Sequence, residues 1–552
     1  MRKKGNKATP GLEENGAVRK NWANRLRVAL VFPNTYHVGM SNLGFQTVYA
    51  LFNSYDHVVC ERVFCPAYGA PESVESKRPL GAFDVIAFSL SFENDYPNIL
   101  SMLHAGGIPL RSDNRDASHP LIIAGGVGCF MNPEPLAIFF DAFLLGEAEP
   151  ILPKLVENLN PEKSRDELLE SLAQNVPGAY VPRFYNPEYR EDGAFSAMTP
   201  DPGHPSSIKR LFLENVDQAP AITNIYTEDT TFNNTCLVEV SRGCPHGCRF
   251  CTVGYVYRPV RFRSPETLST CMDKGLEHTR KIGLMGAAVS DLPCLDQLCK
   301  YGEETGAVLS FSSFRANAMS QGLVKSLARG KVKTATLAPE AGSQRMRDVI
   351  KKNITEDNIL DAAQILVEAG IPNLKLYFMV GLPTETQEDV DEIVALTKRI
   401  KHRFLKASQP TGRIGTIHIS LNSFVPKPFT PFQWAAMDEV KVLKQKIRQV
   451  RNGLASVANV TVSADVPRWA FIQALIARGD RRVGEILELA CKNQGNWPHT
   501  LKEAPINPDF YVTRQRHSEE ILPWDFIDNG VRKEFLQKEY ARALALENHS
   551  AK

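Results

Sequence analysis

Between Ser241 and Tyr257 the chain reads SRGCPHGCRFCTVGYVY, placing three cysteines as Cys244-x3-Cys248-x2-Cys251. Such close spacing wraps three thiolates around one metal centre. A structural zinc site is normally closed by four protein ligands. No fourth cysteine or ordered histidine pair follows nearby, and His246 lies inside the loop, where it cannot easily turn inward. A [4Fe–4S] cluster is also held by thiolates, and three of them leave one iron open. An open iron binds a cofactor or substrate, so the spacing points to chemistry rather than to a structural staple.

Composition narrows the setting. At 552 residues the chain is long enough for two to four domains with sizeable cores. Its 43% hydrophobic and 23% charged content is that of a globular protein. A net charge of +2 gives no global electrostatic case for nucleic acid. No apolar run reaches the ~18 residues of a membrane span, so no membrane insertion is expected. The start MRKKGNKATPGLEENG is basic but lacks an apolar region behind it, unlike a secretory signal. Eleven cysteines in so long a chain are not a disulfide framework, and a reducing, cytoplasmic compartment is expected.

Residues 1–24 are polar and read as a flexible tail. From Arg25 onward RVALVF, HVVCERVF, FDVIAFSLS, HPLIIAGG and DAFLLG are strand-like, with helical stretches such as FQTVYALFN and PNILSMLHAGG between them. This alternation predicts an α/β fold, a doubly wound parallel sheet over 25–160. Ligands of such sheets bind at the carboxyl ends of the strands. The loops there hold Tyr36, Gly39, Ser89, Gly125, Gly126 and Gly146, together with Ser91, Glu93 and Glu147. Each glycine also reads as an ordinary tight turn. Residues 161–234 are rich in proline and glycine and read as a connector.

A second alternating region spans 235–430. CLVEVS, KIGLMG, VLSFSSFR, KTATLAPE, LKLYFMVG and GTIHISLNSFV are six candidate strands with helical stretches between them. Six βα units predict a partial (β/α)6 barrel, whose chemistry sits in the loops after the strands. The cysteine loop follows the first of them. Residues 431–552 read as a small, mainly helical region. Its first helix carries Lys441, Lys444, Arg448 and Arg451 on one face. RNA phosphates would suit that face, although a solvated face is the commoner role of such a row.

The cysteine motif, with Phe250 before its last cysteine, resembles the signature of the radical S-adenosylmethionine enzymes. The flank CTVGYVYRPVRFRSPE, the GGVG loop and LLGEAE look like a bacterial group with a cobalamin-binding-like domain in front. The resemblance implies that Cys244, Cys248 and Cys251 hold a [4Fe–4S] cluster. Its fourth iron would chelate S-adenosylmethionine, and an electron would cleave the sulfonium to a 5′-deoxyadenosyl radical. It also implies a cofactor site at the strand ends. Gly286 stands where relatives bind the amino group, with GAA replacing the commoner glycines and glutamate. Glu340 stands where a carboxylate binds the ribose. Gly381 and Glu385, in GLPTE, correspond to the element beside the adenine.

Arg345 or Arg347 would hold the carboxylate through paired hydrogen bonds. Arg315, with Ser312, ends the third strand. An ion pair of Glu340 with Arg345 or Arg315 is the structural alternative. Thr384 with Gln387 also reads as a capping box. The other eight cysteines form no second CxxC set, and Cys129 alone sits in a loop facing the first-domain site.

Three functions stay open on this reading. The first is a radical enzyme that methylates or rearranges a carbon skeleton, with cobalamin in the first domain. No histidine has an aspartate two positions before it, so a cobalt-ligating histidine of the Asp-x-His-x-x-Gly type is not expected. The second is an RNA-modifying radical enzyme without cobalamin. The third is a non-catalytic iron–sulfur protein. An electron donor such as flavodoxin or ferredoxin is the expected partner of the enzyme readings.

Overall fold

The computed structural model describes residues 13–546 apart from 161 and 413. The first sheet has five parallel strands, Leu26–Phe32, Val58–Phe64, Val85–Ser89, Leu121–Gly125 and Ala142–Leu144, and an antiparallel edge, Ala179–Tyr180. Their order is second, first, third, fourth, fifth, sixth. The chain therefore changes direction beside Leu26–Phe32, which opens a crevice at the carboxyl ends of the first and third strands. Both faces of the sheet are covered, so its strands are apolar almost throughout. Of the charged exceptions Arg27, Glu61 and Arg62, the last is the most deeply buried. It is fully buried and sits between Glu75, at 2.6 Å, and Glu14, at 2.7 Å.

That second contact corrects the expected tail. Glu14 anchors the segment from residue 13, Asn15 bridges Tyr226, and Lys20 Nζ donates to the carbonyls of Asn53, Tyr55 and Val58. Residues 1–12 lie outside the described residues.

The second region contains all six expected strands in two parallel sheets. Cys236–Glu239, Lys281–Met285 and Val308–Phe311 form one. Thr334–Glu340, Asn373–Val380 and Ile417–Ser423 form the other. A seventh strand, Val460–Ala464, joins the second sheet in parallel beside Ile417–Ser423. The basic helix Val440–Leu454 is its crossover. It buries Leu443, Ile447, Val450 and Leu454 and leaves Lys441, Lys444, Arg448 and Arg451 exposed. The sheet thus extends past residue 430 into the stretch expected to be mainly helical.

The remaining C-terminal helices bind the two regions together. Asn132 donates to the carbonyls of Ala477 and Gly479, Arg481 reaches Glu134 at 3.2 Å, and Lys427 and Gln473 both hold Glu93. Between the regions lie the hairpin Tyr185–Tyr189 with Phe195–Pro200, and Ile208–Lys209, which pairs with Ile527–Asp528 near the C-terminus. Among the described residues no helix is long and apolar enough to cross a membrane.

Candidate active site

The cysteine loop leaves the first barrel strand through Ser241, Arg242 and Gly243. Gly243 has φ +84°, and a Cβ there would lie 2.6 Å from the Tyr257 carbonyl oxygen, so the turn into Cys244 requires glycine. The far side of the loop is the single turn Val253–Val256. Its amides at Val253 and Gly254 face the Cys251 sulfur, as the His246 amide faces that of Cys244. Burial pushes the Cys251 thiol up to about 11 and raises Cys244 as well, against these amides.

Among the described residues no three His, Cys, Asp or Glu side chains close tightly enough on a single metal ion. The three sulfurs are instead close enough to feel one another's charge. With three soft donors on one loop and amides aimed at two of them, the set fits a multi-iron centre with one open iron.

The loop is braced from outside. The Arg249 amide donates to the Ile350 carbonyl and its guanidinium to those of Asp348 and Val349, while Nε lies 3.2 Å from Glu539 on the last helix, Lys533–Ala545. Lys351 meets the same Glu539 at 3.0 Å. His246 is turned outward to Asp291, at 2.5 Å.

A cavity of about 420 Å³ lies between the strand ends of the first sheet and those of the barrel. It has the size of a cofactor pocket. Ser89, Gly125, Gly126 and Gly146 line its first-domain side, and Ser241, Gly243 and Gly286 its barrel side. A Cβ at Gly125 would meet nothing within 4 Å, so the missing side chain leaves the floor open. Gly126, at φ +107°, packs so closely on Leu90 that a Cβ would lie 2.4 Å from its carbonyl oxygen.

Tyr36 and Gly39 are placed elsewhere. Tyr36 donates to Glu14 at 2.5 Å, and Gly39 packs on Phe64. Glu93 is buried against Lys427. Cys129 is 1% exposed, and burial raises its thiol far above the usual range.

At the seam between cavity and cysteine loop lies an ionic network that the sequence reading missed. Arg242 reaches Glu147 at 2.7 Å, Glu149 at 2.6 Å and Glu239 at 3.0 Å. Glu147 also takes Arg261 at 2.6 Å and the Leu213 amide at 3.0 Å. Burial pushes the Glu147 carboxyl up, but the hydrogen bonds from Arg261 and the charge of Arg242 hold it below its ordinary value. Arg242 stands two residues before Cys244, and its partners Glu147 and Glu149 cap and open the helix Ala148–Asn158. The motif LLGEAE was the visible half of this contact. Its partners lie over ninety residues away, beyond any local pattern.

The expected cofactor residues divide. Gly286 ends the second barrel strand at the cavity, and its carbonyl accepts from the hydroxyls of Ser312 and Ser313, each at 2.9 Å. Glu340 ends the fourth strand in the left-handed region, φ +66°, and pairs with Lys352 at 3.1 Å rather than with Arg345 or Arg315. Arg345 is bound to Asp389 and to the Thr384 carbonyl. Arg347 is 1% exposed and donates to the carbonyls of Ala341 and Gly342.

Gly381 donates to Glu385 at 2.8 Å, and Glu385 is buried against Lys446, also at 2.8 Å. Burial raises the Glu385 carboxyl despite that lysine. The capping box belongs to Thr386 and Asp389, not to Thr384 and Gln387, because Thr384 has φ +66° and cannot serve as an N-cap. Arg315 is left as the arginine whose charge reaches Cys244. Among the described residues its guanidinium meets Asn317 and the carbonyls of Lys352 and Asn353, and no carboxylate.

Comparison with known proteins agrees with this architecture. Residues 44–182 match the family described as radical SAM proteins, N-terminal, and residues 238–397 match the radical SAM superfamily. The uncharacterized protein MJ0966 of Methanocaldococcus jannaschii is 30% identical over 86% of this chain and 94% of its own length. The uncharacterized methyltransferase PH0819 of Pyrococcus horikoshii is 22% identical over 50% of this chain and 56% of its own. Among solved structures, the cobalamin-dependent S-adenosylmethionine radical enzyme OxsB, with aqua-cobalamin and S-adenosylmethionine bound, aligns over 95% of this chain and 79% of that one. Identity is 13% and the TM-score 0.47.

Proposed function

The chain belongs to the radical S-adenosylmethionine superfamily and is an enzyme of it, and from that premise we propose that it is a cobalamin-dependent member that methylates or rearranges a carbon skeleton. The observation that carries this reading is the cavity shared by the strand ends of the first sheet and the root of the cysteine loop. When bound, the cluster supplies the electron that cleaves S-adenosylmethionine, and the corrinoid supplies a methyl carrier.

The chain's own residues divide the remaining work. Cys244, Cys248 and Cys251 would ligate the cluster. Arg315, uncompensated and within electrostatic reach of Cys244, is better placed than Arg345 or Arg347 to pair with the carboxylate of S-adenosylmethionine. Glu340 keeps one carboxylate oxygen outside its Lys352 contact for the ribose hydroxyls. Gly381 and Glu385 shape the loop through their mutual hydrogen bond instead of presenting a charge.

Gly125, Gly126 and Gly146 would form the floor under the corrinoid. No histidine is among the residues lining the cavity, which suits a cofactor without a protein ligand below. A low-potential donor such as flavodoxin or ferredoxin would reduce the cluster.

The test is anaerobic expression with hydroxocobalamin, desalting, and absorbance against chain concentration. Near-stoichiometric corrinoid in the wild type, lost in Gly125→Trp with the cluster retained, supports the reading. Cluster-loaded protein that emerges without corrinoid bands overturns it and leaves the superfamily assignment standing.

A further inference from the structure

The second barrel sheet has two unlike faces. Leu374, Leu376, Phe378 and Val380 alternate into the helix-covered core, and their neighbours in register do the same. The opposite, concave face is mostly polar and half-open, with Met379 as its apolar member on this strand. Lys375 stands there beside His418, and Tyr377 beside Ser420, with Asn422 one step further along.

Among the described residues Lys375 has no carboxylate partner. The one recorded contact of its ammonium among them is the Tyr377 ring, 4.7 Å away. His418 stands beside Lys375 in register and is held by two hydroxyls. Its Nδ1 lies 2.8 Å from the Thr461 hydroxyl and its Nε2 2.9 Å from that of Ser463. Ser463 donates onward to the Ile419 carbonyl, which leaves its oxygen to accept from Nε2, and the two hydroxyls fix the ring in place.

Lys375, half-buried on a central strand, over a tyrosine ring and beside hydroxyl-bearing residues in register, offers a charge that an anion can meet. Adjacent strands are about 4.8 Å apart and alternate residues about 6.7 Å apart. The ammonium of Lys375 and the hydroxyls of Tyr377 and Ser420 can therefore converge on one group the size of a phosphate or carboxylate.

We propose that the substrate carries an anionic group, phosphate or carboxylate, and that Lys375, Tyr377 and Ser420 bind it on the concave face of the barrel. This deepens the reading of the chain as a radical enzyme and rests on it for the word substrate. The site itself needs neither cluster nor corrinoid. An apolar lipid tail does not fit this face, and a polar metabolite bearing one anionic end does.

The experiment is calorimetric titration of the full chain with inorganic phosphate in one arm and citrate in the other, for wild type, Lys375→Met and Lys375→Arg. Saturable binding of either anion is expected, weakened at least tenfold by Lys375→Met and largely kept by Lys375→Arg. The arm that binds identifies the anion. A second readout needs no variant: the bound anion should protect Lys375 from acetylation by an N-hydroxysuccinimide ester, followed by peptide mass spectrometry. No saturable binding in either arm, equal binding by wild type and Lys375→Met, or equal acetylation of Lys375 with and without the anion, overturns the proposal. Failure of corrinoid binding or of S-adenosylmethionine cleavage would leave these titrations unchanged, so the two readings fail separately.

Discussion

Arg242→Met tests the seam between cavity and cysteine loop. Its guanidinium is 11% exposed and contacts three carboxylates. Removing it does not strip them equally. Glu147 keeps Arg261 and the Leu213 amide, and Glu239 keeps Arg263. Glu149, 8% exposed, has Arg242 as its one recorded ion-pair partner and is left behind as a buried charge. Breaking one side of a buried pair costs about 3–5 kcal/mol, and the surviving partners place this case near about 3 kcal/mol.

Glu149→Gln alone leaves Arg242 with two carboxylates and should cost about 1 kcal/mol. The double variant removes both the orphan and its partner, so it should cost about 2 kcal/mol rather than the sum, a coupling of about 2 kcal/mol. Anaerobic urea unfolding of all four proteins, followed by tryptophan fluorescence, measures it. Additive losses would refute the reasoning, because they would mean that Glu149 gains nothing from Arg242. Iron retention after reconstitution should fall with Arg242→Met, since the loop root is then held by Gly243 and its backbone contacts alone.

Replacing any one of Cys244, Cys248 and Cys251 with Ala should abolish cluster incorporation, read as loss of the absorbance near 400 nm (roughly where iron–sulfur thiolate bands fall). Gly126→Ala forces a Cβ against the Leu90 carbonyl at φ +107°, and should destabilise the first domain by roughly 2–4 kcal/mol and reduce corrinoid retention, both measurable on one purified sample.

Asp95 offers a pH test. Burial, opposed by the Asn34 amide, moves its carboxyl from the ordinary 3.8 up to about 6. A raised acid contributes stability below its unfolded value and loses it as pH rises through the folded one. Asp95→Asn should therefore stabilise the protein at pH 7 by roughly 1–2 kcal/mol after solvent screening, with the gain shrinking below pH 6 and gone near pH 4. A gain that grows toward low pH would contradict this sign.

Much of the architecture was legible because hydrophobic periodicity is local. Each expected strand of both sheets is present, and Ser89, Gly125, Gly126 and Gly146 fall at strand ends that face the cavity. The seventh barrel strand was harder to read. VTVSA is only five residues long and sits on an edge, where half of it faces solvent. The individual cofactor residues were less legible still. Whether Arg345, Arg347 or Arg315 is free depends on Asp389, on loop carbonyls and on Lys352, none of which a one-dimensional pattern pairs with them. Tyr36 and Gly39 have the right position along their strand, but Glu14 and Phe64 hold them away from the cavity. The Thr384 cap failed because the signature Thr-x-x-Gln does not encode φ, and the true cap lies two residues later.

The most direct test of the central claim is formation of 5′-deoxyadenosine by protein reconstituted anaerobically with iron and sulfide, then given S-adenosylmethionine and dithionite. The account predicts multiple turnovers of 5′-deoxyadenosine from the wild type and none from Cys244→Ala, Cys248→Ala or Cys251→Ala. A wild type that carries a full complement of four irons per chain and yet yields no 5′-deoxyadenosine would contradict it, as would a single-cysteine variant that still cleaves S-adenosylmethionine at the wild-type rate.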